Sequence, residues 1–224
     1  MPPVVHKCGD TMIEKDRAKE ILKRLRKAYP KPGPFVEWST PLELVVGTVL
    51  SAQCTDERVN QVTEVLFAKY RTAEDYAKAS IPTLEREIYS TGFYRNKAKH
   101  LKGLGGILVE KFEGNVPDTL EELLSLPGVS NKTAYIVLSK AFGKHAGLAV
   151  DTHVSRVAPR LGLTDAKTAE KMSQELGAVF MPRDYLSVNE LFITHGRAVC
   201  IPRKPRCGEC VLAEICPSAK DFLP

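Results

Sequence analysis

Four cysteines, Cys200, Cys207, Cys210 and Cys216, stand near the C-terminus in the order C-x6-C-x2-C-x5-C. Thiolates are soft ligands that suit zinc or an iron–sulfur cluster. The C-x2-C core fits both. Zinc sites usually pair two such units or mix Cys with His. Here a single C-x2-C is flanked by more distant cysteines, an uneven comb that favours a cubane, whose iron corners take ligands from separated directions. Zinc stays open on spacing alone, and the plain reading is a set of unligated core cysteines. Arg203, Lys204 and Arg206 lie inside the comb with no acidic residue among them. Such a loop is usually a solvated surface; pinned by a metal centre, it could instead meet phosphates.

A second constellation lies upstream. The stretch Leu126-Pro127-Gly128-Val129-Ser130-Asn131-Lys132-Thr133-Ala134 reads as a tight turn between two helices. Its second helix would start with free backbone N–H groups, a ready site for a phosphate. Taken alone, this is an ordinary helix–turn–helix connection. Lys132 falls in the first turn of that helix. Asp151 follows after a helix and a loop, and can cap a helix starting near Thr152. A lone Lys is most often a solvated charge.

The elements that must position these groups are helical. Residues 16–29 place Ile21, Leu25, Ala28 and Tyr29 on one stripe. Pro30, Pro32, Gly33 and Pro34 then break the chain. Thr40-Pro41-Leu42-Glu43 reads as a capping box with a first-turn Pro. The helix after it is apolar all round, which predicts burial. Further helices are expected at about 56–70, 82–90, 94–112, 119–125, 131–143, 152–161, 166–180 and 184–199. Period-two alternation is scarce, so the expectation is an all-α protein.

The totals agree with that picture. The chain has 224 residues, 43% hydrophobic and 26% charged, enough for one large or two modest domains. No apolar run reaches the length of a membrane span, and MPPVVHKCGD lacks the apolar core of a signal peptide. Cys8 and Cys54 stand alone, which suits an intracellular thiol set better than a disulfide framework. A net charge of +5 permits a polyanion partner without demanding one.

Taken with Val150-Asp151-Thr152-His153-Val154 and the cysteine comb, the hairpin resembles that of the endonuclease III family of iron–sulfur DNA glycosylase/lyases. Leu50-Ser51-Ala52-Gln53, Thr55-Asp56, Gly92-Phe93-Tyr94 and Asn96-Lys97-Ala98 extend the resemblance over almost the whole chain. It implies two helical domains with the active site in the cleft between them: residues 34–144 carrying the helix-hairpin-helix, and residues 1–33 plus 145–224 carrying a [4Fe–4S] cluster. It also implies base-excision repair of oxidised pyrimidines in double-stranded DNA, with AP lyase activity at the abasic site.

In that chemistry the amine of Lys132 attacks the sugar C1′, and the resulting Schiff base permits β-elimination of the 3′ phosphate. An attacking lysine must first lose its proton. The positive end of the helix dipole and partial burial both favour the neutral form. Asp151 would stabilise developing oxocarbenium charge and move protons. The cysteines would hold the cluster, with a structural role. Gly128 and Ser130 of the hairpin and Arg203, Lys204 and Arg206 of the basic loop would contact the backbone. Gln53 and Phe93 would fill the stack that a flipped nucleotide vacates. Two residues depart from the family pattern: Ser130 stands where a second Gly is usual, and Phe93 where Leu is frequent. The plainer readings are a helix-end polar residue for Gln53 and a core aromatic for Phe93.

Two other functions compete. Adenine-specific mismatch glycosylases share comb and hairpin, but lack Lys at position 132 and carry a further C-terminal domain, whereas this chain ends shortly after Cys216. A non-catalytic, metal-stabilised DNA-binding protein would need only the comb and the basic loop. The expected state is a monomer without a membrane association, intracellular and, in a prokaryote, cytoplasmic or nucleoid-associated.

Overall fold

The computed structural model describes residues 11–33 and 35–223, with side chains described from Lys15 onward. Cys8 and Pro34, both singled out above, lie outside the described residues. Helices and short 3-10 turns make up the regular structure, and no strand occurs among the described residues. The chain divides into two compact units, Pro34–Ala146 and Met1–Gly33 with Gly147–Pro224.

The first unit holds α2 (Pro41–Leu50), α3 (Asp56–Lys69), α4 (Ala73–Lys78), α5 (Ile81–Glu87), α6 (Tyr94–Phe112), α7 (Leu120–Leu124) and α8 (Asn131–Phe142). Helix α2 starts with the capping box read from the sequence. The Thr40 side chain accepts from the Glu43 N–H while Glu43 accepts from the Thr40 N–H, and Pro41 sits in the first turn. Its residues from Leu44 to Leu50 are buried without a polar face, so α2 is the central rod. Helices α6 and α8 pack on it.

The six-residue helix α4 was absent from the sequence expectation. Six residues span fewer than two turns, too few for a helical period to show. Tertiary contacts hold it instead. Ala73 and Tyr76 are buried, and a β-carbon on Gly105 of α6 would lie 2.6 Å from the Ala73 carbonyl oxygen. Lys102 Nζ donates to the carbonyls of Ala77 at 2.7 Å and Ala79 at 2.8 Å, closing the end of the helix. A reciprocal Thr72–Asp75 cap is the local signal that marks its start.

The second unit holds α1 (Thr11–Ala28), α9 (Val154–Arg160), α10 (Ala169–Val179) and α11 (Tyr185–Ala198). Its core joins Ala18, Ile21, Leu22 and Leu25 of α1 to Val154, Val157, Leu176, Val188 and Phe192. The buried stripe of α1 therefore differs from the expected one. Ala28 is exposed and Leu22 and Ala18 take its place, because Ala28 is the last helical residue and Tyr29 already leaves the helix. Helix α9 starts at Val154 rather than near Thr152.

Candidate functional site

The hairpin is assembled by local chemistry. Leu126 is buried, and the Val129 N–H closes on the Leu126 carbonyl at 3.1 Å. Gly128 carries φ +80°, the left-handed region that glycine enters without a side-chain clash. A β-carbon there would also lie 2.9 Å from His100 Nδ1 on α6. Ser130 then takes the N-cap of α8, its Oγ accepting from the Thr133 N–H at 3.3 Å. The Ala134 N–H goes to the Ser130 carbonyl at 2.8 Å. The first-turn N–H groups of Asn131 and Lys132 have no carbonyl partner inside the helix. Lys132 is half-buried at the second position of α8. The serine that replaces a second glycine thus preserves the turn as a cap.

Asp151 lies in the other unit and is anchored from both sides. The segment leading to it is pinned where Ser173 Oγ donates to the Leu148 carbonyl at 2.7 Å and Asn189 Nδ2 to the Ala149 carbonyl at 2.8 Å. Asn189 is 3% exposed, so its amide is a buried bracket. One carboxylate oxygen of Asp151, Oδ1, accepts from the N–H groups of His153 at 2.9 Å and Val154 at 2.8 Å. The carbonyl of Asp151 accepts from Ser155 at 2.8 Å. Asp151 therefore caps α9 through one oxygen and leaves Oδ2 outside those two bonds. His153, a residue without an expected chemical role, faces Arg156, with Nδ1 and Nη2 3.1 Å apart.

Gln53 and Phe93 are both exposed, and Phe93 is 63% exposed, so it is no core aromatic. Both adopt left-handed backbone conformations, with φ of 54° and 47°. Among the described residues the only other non-glycine residue with positive φ is Glu113, the C-cap of α6. A left-handed backbone is costly for a side-chain-bearing residue and tends to be kept at functional positions.

All four comb cysteines line one space of about 390 Å3, partly open to solvent. Among the described residues, no three His, Cys, Asp or Glu side chains converge to hold a single metal ion. Burial pushes the thiols of Cys207, Cys210 and Cys216 up, and the neighbouring cysteines add to it. Like-charged donors sharing a half-buried space call for a cation to bind, and a space lined by four thiols suits an iron–sulfur cluster. The donors are already oriented: the Leu212 N–H points to Cys210 Sγ at 3.4 Å, and Arg160 Nη1 to Cys200 Sγ at 3.4 Å. These residues fit an iron–sulfur cluster, and N–H groups aimed at sulfur tune such a group.

Supporting residues around the comb escaped the sequence reading. Arg160 also donates to the carbonyls of Ile201 at 2.8 Å and Pro202 at 2.6 Å. Arg156 Nε donates to the Cys200 carbonyl at 2.9 Å. Together they hold the root of the loop whose Arg203, Lys204 and Arg206 are exposed. His195 is buried with Nε2 3.6 Å from Cys210 Sγ and Nδ1 3.0 Å from the Tyr29 hydroxyl; burial holds its pKa down at about 4, so the ring is neutral at pH 7. The available sequence signal was the spacing of Arg156 and Arg160, four apart on one helix face.

Comparison with known proteins bears on the chain as a whole. Residues 46–182 match the HhH-GPD superfamily of base excision DNA repair proteins. Residues 200–216, from the first comb cysteine to the last, match the iron–sulfur binding domain of endonuclease III. Endonuclease III of Synechocystis sp. is 50% identical over 207 residues, covering 92% of this chain and 94% of the relative. A structure of a non-covalent endonuclease III–DNA complex superposes with a TM-score of 0.87 at 38% identity, covering 92% of this chain and 97% of the other. A trapped endonuclease III–DNA covalent intermediate gives the same TM-score, identity and coverage. The chain belongs to the endonuclease III family. It is a base-excision DNA repair enzyme, a DNA glycosylase with AP lyase activity, and its cofactor is a [4Fe–4S] cluster.

Proposed function

We propose that the enzyme removes oxidised pyrimidines from double-stranded DNA with Lys132 as nucleophile and Asp151 as its electrostatic and proton-transfer partner. The observation that carries this reading is the placement of Lys132. It stands half-buried in the first turn of α8, directly after the Gly128 turn, where unused N–H groups can hold the phosphate beside the nucleotide. The amine displaces the base at C1′, and the base leaves with a proton. The sugar ring opens as the C1′–nitrogen bond becomes a Schiff base. Loss of a C2′ proton then expels the 3′ phosphate, and water releases Lys132. That a relative has been captured as a trapped covalent intermediate on DNA supports a covalent route of this kind.

Asp151 supports the step through the oxygen that α9 does not use. Asn at this position can still cap the helix. Asp151→Asn is therefore expected to shift Tm by no more than about 2 °C, while single-turnover excision falls roughly 100-fold or more. Retained excision would remove Asp151 from the chemistry.

The four cysteines would ligate the cluster, which supplies rigidity, and the loop between Cys200 and Cys207 would carry Arg203, Lys204 and Arg206 to the DNA backbone. Gly128 and Ser130 would contact phosphate at the hairpin, while Gln53 and Phe93 would enter the gap left by the flipped nucleotide. Reversing charge with Arg203→Glu and Lys204→Glu should lower the slope of log K against log salt by roughly two or more, with the visible spectrum unchanged. An unchanged slope would count against the loop as a DNA contact. We read the enzyme as a monomer working beside the DNA inside the cell; among the described residues no helix is long and apolar enough to cross a membrane.

The substrate class is tested by single-turnover excision with borohydride trapping on duplexes carrying oxidised pyrimidines, uracil or 8-oxoguanine. Oxidised pyrimidines should be excised fastest, with a covalent adduct. A preference for 8-oxoguanine would overturn the assignment.

A further inference from the structure

Lys97 is buried, 4% exposed, and lies in the first turn of α6. Its ammonium donates to two backbone carbonyls from separate parts of the unit: Leu50 at 2.7 Å and Thr91 at 2.8 Å. Leu50 is the last residue of α2, three residues before Gln53. Thr91 is the last residue of the 3-10 turn Tyr89–Thr91, two residues before Phe93. One cation therefore ties together the roots of the two loops whose tips are the exposed, left-handed Gln53 and Phe93.

Each loop is also closed locally. In the first, the Cys54 N–H meets the Ser51 carbonyl at 3.1 Å. In the second, the buried Thr91 donates its hydroxyl to the Ile88 carbonyl at 2.8 Å, and the Phe93 carbonyl accepts the Lys97 N–H at 3.1 Å. These bonds shape the loops one at a time; the Lys97 ammonium links them. Burying an ammonium is costly, and burial pushes the pKa of Lys97 down, with Cys54 acting in the opposite direction. Two carbonyl partners take two of the three ammonium N–H bonds, and the carbonyl of Leu50 is an end-of-helix acceptor that favours a cation.

We infer that Lys97 is a positioning residue for damage recognition, locking the Gln53 and Phe93 loops into one unit so that both side chains enter the DNA together. The inference rests on the reading of Gln53 and Phe93 as the residues that fill the vacated stack. Two loops ordered independently would each lose freedom on binding DNA; a shared clamp settles that loss in the free enzyme. Lys97 itself touches neither base nor sugar in this scheme.

The test uses full-length holoenzyme and two substrates, an abasic site in duplex DNA with 2-aminopurine as the orphaned base, and the same site in single-stranded DNA. Lys97→Met keeps the length of the side chain and removes the donors. It should slow the fluorescence rise that reports insertion, and duplex cleavage with it, by roughly 10- to 100-fold. Single-strand cleavage, which needs no insertion, should change by no more than about twofold. Lys97→Arg, which retains donors, should recover part of the duplex rate. Combining Lys97→Met with Gln53→Ala should slow the duplex step less than the product of the separate effects.

Equal slowing on both substrates, fully multiplicative effects, or no slowing at all would overturn the inference. If Lys97→Met leaves insertion intact while Gln53→Ala and Phe93→Ala slow it, the clamp fails alone. If neither of those two variants slows insertion, the underlying assignment of the wedge fails. Should Lys97→Met not fold, hydrogen exchange on the wild-type enzyme decides. Amides 51–54 and 90–93 opening with one shared free energy support the clamp, and separate opening free energies overturn it.

Discussion

Lys132→Gln is expected to abolish borohydride-trapped adducts and to reduce single-turnover excision by at least roughly 1,000-fold. The fold should hardly notice. Lys132 is not a cap, and a positive side chain in the first turn of a helix opposes the dipole. Its loss should change stability by less than about 0.5 kcal/mol. The same substitution should leave binding to an uncleaved abasic-site analogue nearly intact, because Ser130 still caps α8 and Gly128 still makes the turn. Excision at an undiminished rate would mean that the amine is not the nucleophile and that water attacks directly.

The second large effect is on the comb. Cys210→Ala should eliminate the visible absorption of the cluster and destabilise the unit that contains it by more than about 4 kcal/mol, the range reached when a metal centre is lost. Cys200, Cys210 and Cys216 pack against the same core as α1 and α11, so the damage should spread beyond the comb. Cys54→Ala is the control. Cys54 lies in the other unit and packs against its core, so the spectrum should remain. A Cys210→Ala protein with wild-type visible absorption would show that Cys210 is not a ligand.

What could be read from the sequence was what short segments decide by themselves. The Thr40 capping box and the tight turn at Gly128 each depend on a few adjacent residues, and each appears in the structure. The comb was visible because its spacing is a ligand pattern. Features decided by distant partners stayed hidden. Helix α4 exists because Lys102 and Gly105 of α6 receive it, and beyond the Thr72–Asp75 cap its six residues are too few to show a helical period. Arg156 and Arg160 gain their task only from the carbonyls and the thiol that distant segments place around them. Lys97 entered as one letter of a family segment, and only its two carbonyl partners, drawn from loops far apart in sequence, give it a task. Ala28 fits the apolar stripe by type but lies exposed as the last residue of α1.

The divided use of the Asp151 carboxylate has a consequence for how this chain can change. One oxygen holds α9 to its starting point, and in the mechanism proposed above the other serves the reaction, so on that reading the demands of folding and of chemistry meet on one side chain without being the same demand. Selection for a well-folded, DNA-binding protein would accept asparagine there, and a single base change in the codon supplies it. Loss of repair therefore need not carry a warning in stability, expression or DNA affinity. A lineage freed from the need to excise could drift to a silent, lesion-seeking binder while every helix stayed in place.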